Sequence, residues 1–303
     1  MAFQPGDKAM LEGYVRAARP LAGMFSVEDK VAVVTGGSSG LGFDIALRLL
    51  QGGSRVVVAS NSRIEEEAAV PLFEQEGFKG RVAFCFTDIR KETEVEALVG
   101  FADKAFGSLD IFVNSAAIWN YAHIYDLPEE DLKLVMETNV NGAFFGVKHA
   151  SKYMIEHNIK GKIVLISSNS AWLPYPVFGG YPHYASSKGA VVALTIEAAK
   201  ELKRFGIMVN TVAPGGMVTP GAAGNMASEL IPEDKQDEFY DELGVWQVDG
   251  QQPVDQVGII AYAMCTPMAD GLTGECIIAD AGCSHNIFSY QPAIDRYPED
   301  LEE

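Results

Sequence analysis

From residue 30 onward, short runs of apolar and β-branched residues alternate with longer stretches of helical period, and that alternation admits few folds. The runs fall at 31–35, 56–59, 82–86, 109–113, 163–167, 208–212 and 276–279. Between them lie segments such as 41–51, 91–106 and 183–205, long enough for helices. A strand buried on both faces reads as a continuous apolar run, and strands separated by helices pair in parallel. The pattern therefore predicts an α/β chain: a doubly wound parallel sheet of about seven strands with helices on both faces. No internal repeat or Pro-, Gly- or Ser-rich linker divides it, so a single domain over 29–283 is expected. Residues 1–28 read as an extension with an amphipathic stretch at 11–19 stopped by Pro20. Residues 220–252 read as a long connection, and 284–303 as a tail with a disordered acidic end.

The first strand runs straight into Thr35-Gly-Gly-Ser-Ser-Gly-Leu-Gly42, followed by an apolar helix. Strand before and helix after lift a glycine-rich match above chance. Glycines let backbone N–H groups approach a pyrophosphate, and the helix start adds partial positive charge. Gly36, Ser38, Ser39, Gly40, Leu41 and Gly42 are thus candidate nucleotide contacts. A carboxylate about 20 residues on would hold a ribose 2′-hydroxyl. Here the second strand ends Ser60-Asn61-Ser62-Arg63, with no carboxylate until Glu65. Ser60, Asn61 and Arg63 can donate hydrogen bonds to a 2′-phosphate, so NADP(H) is favoured over NAD(H).

Tyr184 and Lys188 stand at i, i+4 on one helix and share a face. A phenol near pKa 10 exchanges protons poorly at neutral pH. An ammonium roughly 4 Å away offers about 4 kcal/mol at an effective dielectric of about 20. That would lower the phenol by about three units, into the range useful for general acid–base work.

Bulk properties exclude other classes. The net charge of −18 and pI near 4.7 disfavour nucleic acid and anionic membrane surfaces, which select basic patches. No apolar run approaches the roughly 18 residues of a membrane span, and the N-terminus lacks a signal-peptide core. Cys85, Cys265, Cys276 and Cys283 show no metal-ligand spacing, and no metal is expected. The acidic stretch at 232–242 reads as a solvated helix face. A reduced cytoplasmic protein fits.

Taken in order along the chain, these motifs resemble the compact, single-domain branch of the short-chain dehydrogenase/reductase family, over roughly residues 29–283. Thr35 to Gly42 fits its TGxxxGxG, and Tyr184 with Lys188 its Tyr-x-x-x-Lys. Asp88, with Ile89 beside it, matches the adenine contact, and Asn114-Ser-Ala-Ala117 stands where the family has Asn-Asn-Ala-Gly, giving Asn114 and Ala116 as cofactor contacts. Asn139 and Ser168 match the remaining catalytic positions, with Ser167 as the alternative serine. Pro214, Gly215 and Thr219 match the segment around the nicotinamide. Two departures stand out: Ala117 replaces the usual Gly, and Ser168 and Tyr184 lie 16 apart where about 13 is commoner.

The resemblance implies a Rossmann-like fold, a homodimer or homotetramer, and hydride transfer between a nicotinamide and a carbonyl or carbinol carbon. Tyr184 would move the proton, Lys188 would tune it and bind the ribose, Ser168 would hold the substrate oxygen, and Asn139 would position a water. Trp119, Ser170, Tyr181 and Trp246 are candidate substrate contacts, with Tyr121, Trp172, Tyr175, Phe178 and His183 nearby. Flat walls with few charges suit an apolar or aromatic ring ketone, steroid- or flavonoid-like. Phe288 and Tyr290 of the tail are candidates to close the pocket, whereas His123 and His183 read as loop or core residues. The alternatives are a polyol or sugar reductase of the same family, an enzyme acting on a C=C bond, and an idle NADP(H)-sensing protein.

Overall fold

The computed structural model describes residues 19–173, 180–217, 219 and 253–285. The expectations for Tyr175, Phe178, the 220–252 connection with Trp246, and the tail with Phe288 and Tyr290 lie outside these residues, as does all of the amphipathic stretch except Arg19. Seven strands form one all-parallel sheet in the order β3-β2-β1-β4-β5-β6-β7. They are β1 Val31–Thr35, β2 Arg55–Ser60, β3 Val82–Phe86, β4 Ile111–Asn114, β5 Lys162–Ile166, β6 Met208–Pro214 and β7 Cys276–Ala279. The helices are α1 Gly40–Gln51, α2 Arg63–Gln75, α3 Glu92–Phe106, α4 Glu129–Met136, α5 Gly142–Glu156, α6 Pro182–Leu202 and α7 Val254–Met264.

Strand alternation splits the core into two layers. Ala32 and Val34 of β1 face Ile45 and Leu49 of α1 and Val257 and Ala261 of α7. Val31 and Val33 face the other way, toward Leu98 of α3, Ala143 of α5 and Val191 of α6. Both faces are covered, which is why these strands carry continuous apolar runs. Each fully buried Leu or Ile contributes about 1.5–3 kcal/mol.

The element ends follow local chemistry. Pro182 opens α6 at the position where a missing N–H costs nothing. The helix expected over 183–205 stops at Leu202, runs on as the 3-10 turn Lys203–Phe205, and ends at left-handed Gly206. The run expected at 109–113 pairs two residues later, at Ile111–Asn114, because Asp110 is spent as a cap. Its carboxylate accepts from the Val31 N–H at 3.0 Å and from Lys30 at 2.9 Å. Between α4 and α5 the backbone widens into a single π turn, Glu137–Asn141, which carries Asn139. Insertions of this kind re-aim a side chain and recur at functional sites.

Candidate active site

β1 is flanked by β2 on one side and β4 on the other, so the chain winds outward in both directions from this point. Loops leaving the two strands diverge there and open a crevice at their carboxyl ends. A cleft of about 550 Å³ fills it.

The glycine loop forms its floor, and two of its glycines are sterically required. Gly36 has φ +66°, and a Cβ there would sit 2.8 Å from the Ala116 Cα. A Cβ on Gly42 would sit 2.1 Å from the Gly36 carbonyl oxygen. The loop therefore packs backbone on backbone at the start of α1, leaving a cradle with no side chain in it. Gly36, Ser39, Gly40, Leu41 and Gly42 line the cleft, as do Ser60, Asn61, Asp88, Ile89, Ala116, Trp119, Ser168, Tyr184, Lys188, Pro214, Gly215 and Thr219.

Six expected site residues do not line it. Ser38 and Asn114 stand behind the loop: Ser38 Oγ donates to Glu65, and Asn114 Oδ1 accepts from Thr35 Oγ1 at 3.1 Å, tying β1 to β4. Asn139 is spent on scaffolding. Its amide accepts from Ile118 N and donates to Ile118 O, both at 2.9 Å, and donates to Ser187 Oγ at 3.0 Å. Ser170 and Tyr181 are buried one layer out, 3.0 Å apart through their hydroxyls. Tyr181 packs behind Trp119, ring centres 5.9 Å apart, so the tertiary fold removes it from the substrate wall. Arg63 turns away from the cleft, pairing with Glu66 at 3.0 Å and lying over the Phe86 ring at 4.6 Å.

In Arg63's place the fold brings Glu65. Its carboxylate accepts hydroxyl bonds from Ser38 at 2.9 Å, Ser39 at 3.1 Å and, more weakly, Ser60 at 3.5 Å, and Glu65 itself lines the cleft. The legible signal was Ser62-x-x-Glu65, a capping box; Ser62 Oγ does accept from Glu65 N at 3.2 Å. The carboxylate that would usually reach back to the cap has instead crossed to the glycine loop. Arg90, also unforeseen, forks onto Asp88 at 2.7 and 2.8 Å and holds that carboxyl below the usual range. His183 is a core residue, 2% exposed, with Nε2 2.7 Å from Asn120 Oδ1.

At the inner end the two serines separate by partner. Ser167 Oγ donates to the Lys188 backbone carbonyl at 2.8 Å, fixing α6 to β5. Ser168 instead hydrogen-bonds the Tyr184 hydroxyl. Lys188 Nζ donates to Ile166 O at 2.8 Å and sits 5.5 Å from the centre of the Tyr184 ring. The expectation that Lys188 lowers the phenol fails in this geometry. Tyr184 keeps an open edge toward the cleft, but its oxygen lies deep, and burial pushes the phenol up to about 12. The Ser168 bond is the only opposing influence. Burial also brings the Lys188 ammonium down to about 8, because losing hydration outweighs its one carbonyl partner.

A family model described as short chain dehydrogenase matches residues 30–229. The chain belongs to that family. Relatives include (+)-borneol dehydrogenase 2 of Salvia officinalis, 37% identical over 69% of this chain and 72% of the relative. L-2,3-butanediol dehydrogenase of Corynebacterium glutamicum is 31% identical over 85% of this chain and 99% of the relative. Among solved structures, a gluconate 5-dehydrogenase from Burkholderia cenocepacia in complex with NADP and tartrate superposes with TM-score 0.77 at 25% identity, covering 87% and 98% of the two chains. As a short chain dehydrogenase the chain is an oxidoreductase that uses a nicotinamide dinucleotide, and the side-chain-free cradle fits one. Among the described residues, no helix is long and apolar enough to cross a membrane, and no cluster of His, Cys, Asp and Glu could hold a metal ion.

The Gly36–Gly42 contact makes a testable demand on the family's glycine loop. Gly42→Ala is expected to weaken dinucleotide binding at least tenfold and cost about 1–3 kcal/mol of stability through overpacking. Fluorescence titration and thermal melts check the two effects separately.

Proposed function

We propose that this chain interconverts a ketone and a secondary alcohol, transferring hydride to or from NAD(H). The carrying observation is convergence: Ser168, Tyr184 and Lys188 line the same cleft as the glycine loop. The bound nicotinamide supplies the hydride donor or acceptor; the chain's own residues handle orientation and the proton. Tyr184, protonated throughout the neutral range, is suited to give its proton to a developing alkoxide. Ser168 steadies the same oxygen as charge grows. Lys188 holds positive charge beside the phenol, and Asn139 fixes the loop carrying Ile118 and Trp119. Trp119, Leu134 and Met217 in the lining support an apolar ring substrate. Exposed Phe144 on α5 and Ile196 on α6 support a homo-oligomer.

Cofactor choice reverses the sequence expectation. Ser60, Asn61 and Arg63 favour NADP(H) as letters, but Arg63 faces away and the Glu65 carboxylate occupies the serine hydroxyls. A 2′-phosphate about 4 Å from it would lose about 4 kcal/mol per charge pair at an effective dielectric of about 20, whereas ribose hydroxyls can donate to it. We therefore expect NADH to bind at least tenfold tighter than NADPH, and Glu65→Gln to narrow that ratio about tenfold. Titration with each reduced dinucleotide measures both; tighter NADPH binding by the wild type would restore the NADP(H) reading. A panel of cyclic and open-chain ketones and alcohols, followed by reduced-nicotinamide absorbance, tests the reaction itself. Turnover of none of them would defeat the proposal.

A further inference from the structure

Four hydroxyls form an unbroken chain leading into the site. Tyr181 Oη lies 3.0 Å from Ser170 Oγ, Ser170 Oγ lies 3.0 Å from Ser168 Oγ, and Ser168 bonds the Tyr184 hydroxyl. Ser168 Oγ also accepts the Ser170 N–H at 3.2 Å. Ser170 and Tyr181 do not line the cleft, so they do not touch substrate from where they stand. We propose that Ser170 and Tyr181 are positioning residues that set the direction in which the Ser168 O–H points. This rests on the proposed reaction only in its kinetic arm.

The argument is one of counting protons. Each hydroxyl has one O–H to give and can accept from neighbours. If Ser168 gives its proton to Ser170, nothing remains for the Tyr184 oxygen or a substrate oxygen. If Ser170 gives to Ser168, the Ser168 proton is aimed into the site. Ser170 can do so when its own oxygen accepts from Tyr181. A phenol O–H is a stronger donor than an aliphatic one, and the aliphatic oxygen is the better acceptor, so the phenol at the outer end polarises the chain inward. Hydrogen bonds in series reinforce one another in this way. Packing fixes the outer end: the Tyr181 ring lies 5.5 Å from Tyr121, 5.9 Å from Trp119 and 5.3 Å from Tyr184, centre to centre. Serine at 170, two residues past Ser168 across the 3-10 turn Asn169–Ala171, closes the link.

Tyr181→Phe keeps the ring and deletes the outer hydroxyl. Two readouts decide the matter. The first needs no substrate: the Tyr184 ring-carbon (Cζ) NMR signal at neutral pH, assigned by its loss in Tyr184→Phe, reports whether the phenol oxygen accepts a bond. Tyr181→Phe and Ser170→Ala should each move it in the direction that Ser168→Ala does, and Ser170→Thr should leave it in place. The second is kinetic: Tyr181→Phe should lower kcat about tenfold with KM and dinucleotide affinity little changed, and should cost nothing further in a Ser168→Ala background. An unmoved Tyr184 signal overturns the proposal, as does a loss confined to KM or undiminished without Ser168. If the wild type reduces no ketone, the reaction proposed above fails while the NMR arm still decides this one. Thermal melts of each variant identify any loss that reflects misfolding, for which Ser170→Thr is the retained control.

Discussion

Tyr184→Phe is expected to lower kcat by about 10²–10⁴, the usual worth of a positioned general acid. The substitution removes one oxygen and leaves the ring against Trp119 and Tyr181, at 6.2 and 5.3 Å between centres. The glycine loop and Glu65 touch neither, so dinucleotide affinity should stay within about threefold of wild type, since sites without shared partners act independently. Stability should change by no more than about 1.5 kcal/mol, the net value of the Ser168 bond. Rapid-mix measurement of the hydride step in both proteins separates chemistry from product release. A variant that still turns over at the wild-type rate would end the case for proton transfer by this phenol.

Lys188→Met should abolish most turnover and yet raise stability. The buried ammonium titrates near 8 in the fold, against 10.5 in the unfolded chain. The folded value is the lower one, so at pH 7 the unfolded state holds its proton more easily and the charge weakens the fold. The penalty is on the order of 3 kcal/mol below pH 8, shrinks between pH 8 and 10.5, and vanishes above. Methionine fills similar volume without a charge, but strands the Ile166 carbonyl at a cost of about 1–2 kcal/mol. The net expectation is about 1–2 kcal/mol of stabilisation at pH 7, or a Tm higher by about 2–6 °C. The gain should fade when the melts are repeated at pH 10. A lower Tm at pH 7 would mean that the lysine is held better than its single carbonyl partner implies. The same protonation predicts that kcat/KM for ketone reduction falls as pH rises through about 8 in the wild type, because the ammonium, not the phenol, loses its proton there.

The two departures in the signature have different outcomes. Ala117 is accepted in the lining of the cleft beside Ala116, because the close approach that demands glycine occurs at Gly36 and not at 117. The choice between Ser167 and Ser168 could not be made from adjacent letters, since either can end a strand. It was made by β5 running to Ile166 and handing Ser167 to the backbone of α6.

The order of elements, the parallel sheet and the glycine cradle were legible in the chain because they depend on patterns local to a few residues: period two, period 3.6, and places where no Cβ fits. Residues within one helix turn, such as Tyr184 and Lys188, were also paired correctly. What the tertiary structure alone decided were quantities set by remote neighbours. Glu65 reaches serines 26 and 27 residues away, and Arg63 leaves for Phe86 on β3. Tyr184 and Lys188 move in opposite directions on titration because the surrounding layers strip both of water. Spacing places two side chains on one face; only the packing around them fixes where they point and how much hydration they lose, and those two terms choose the dinucleotide and the state of the proton.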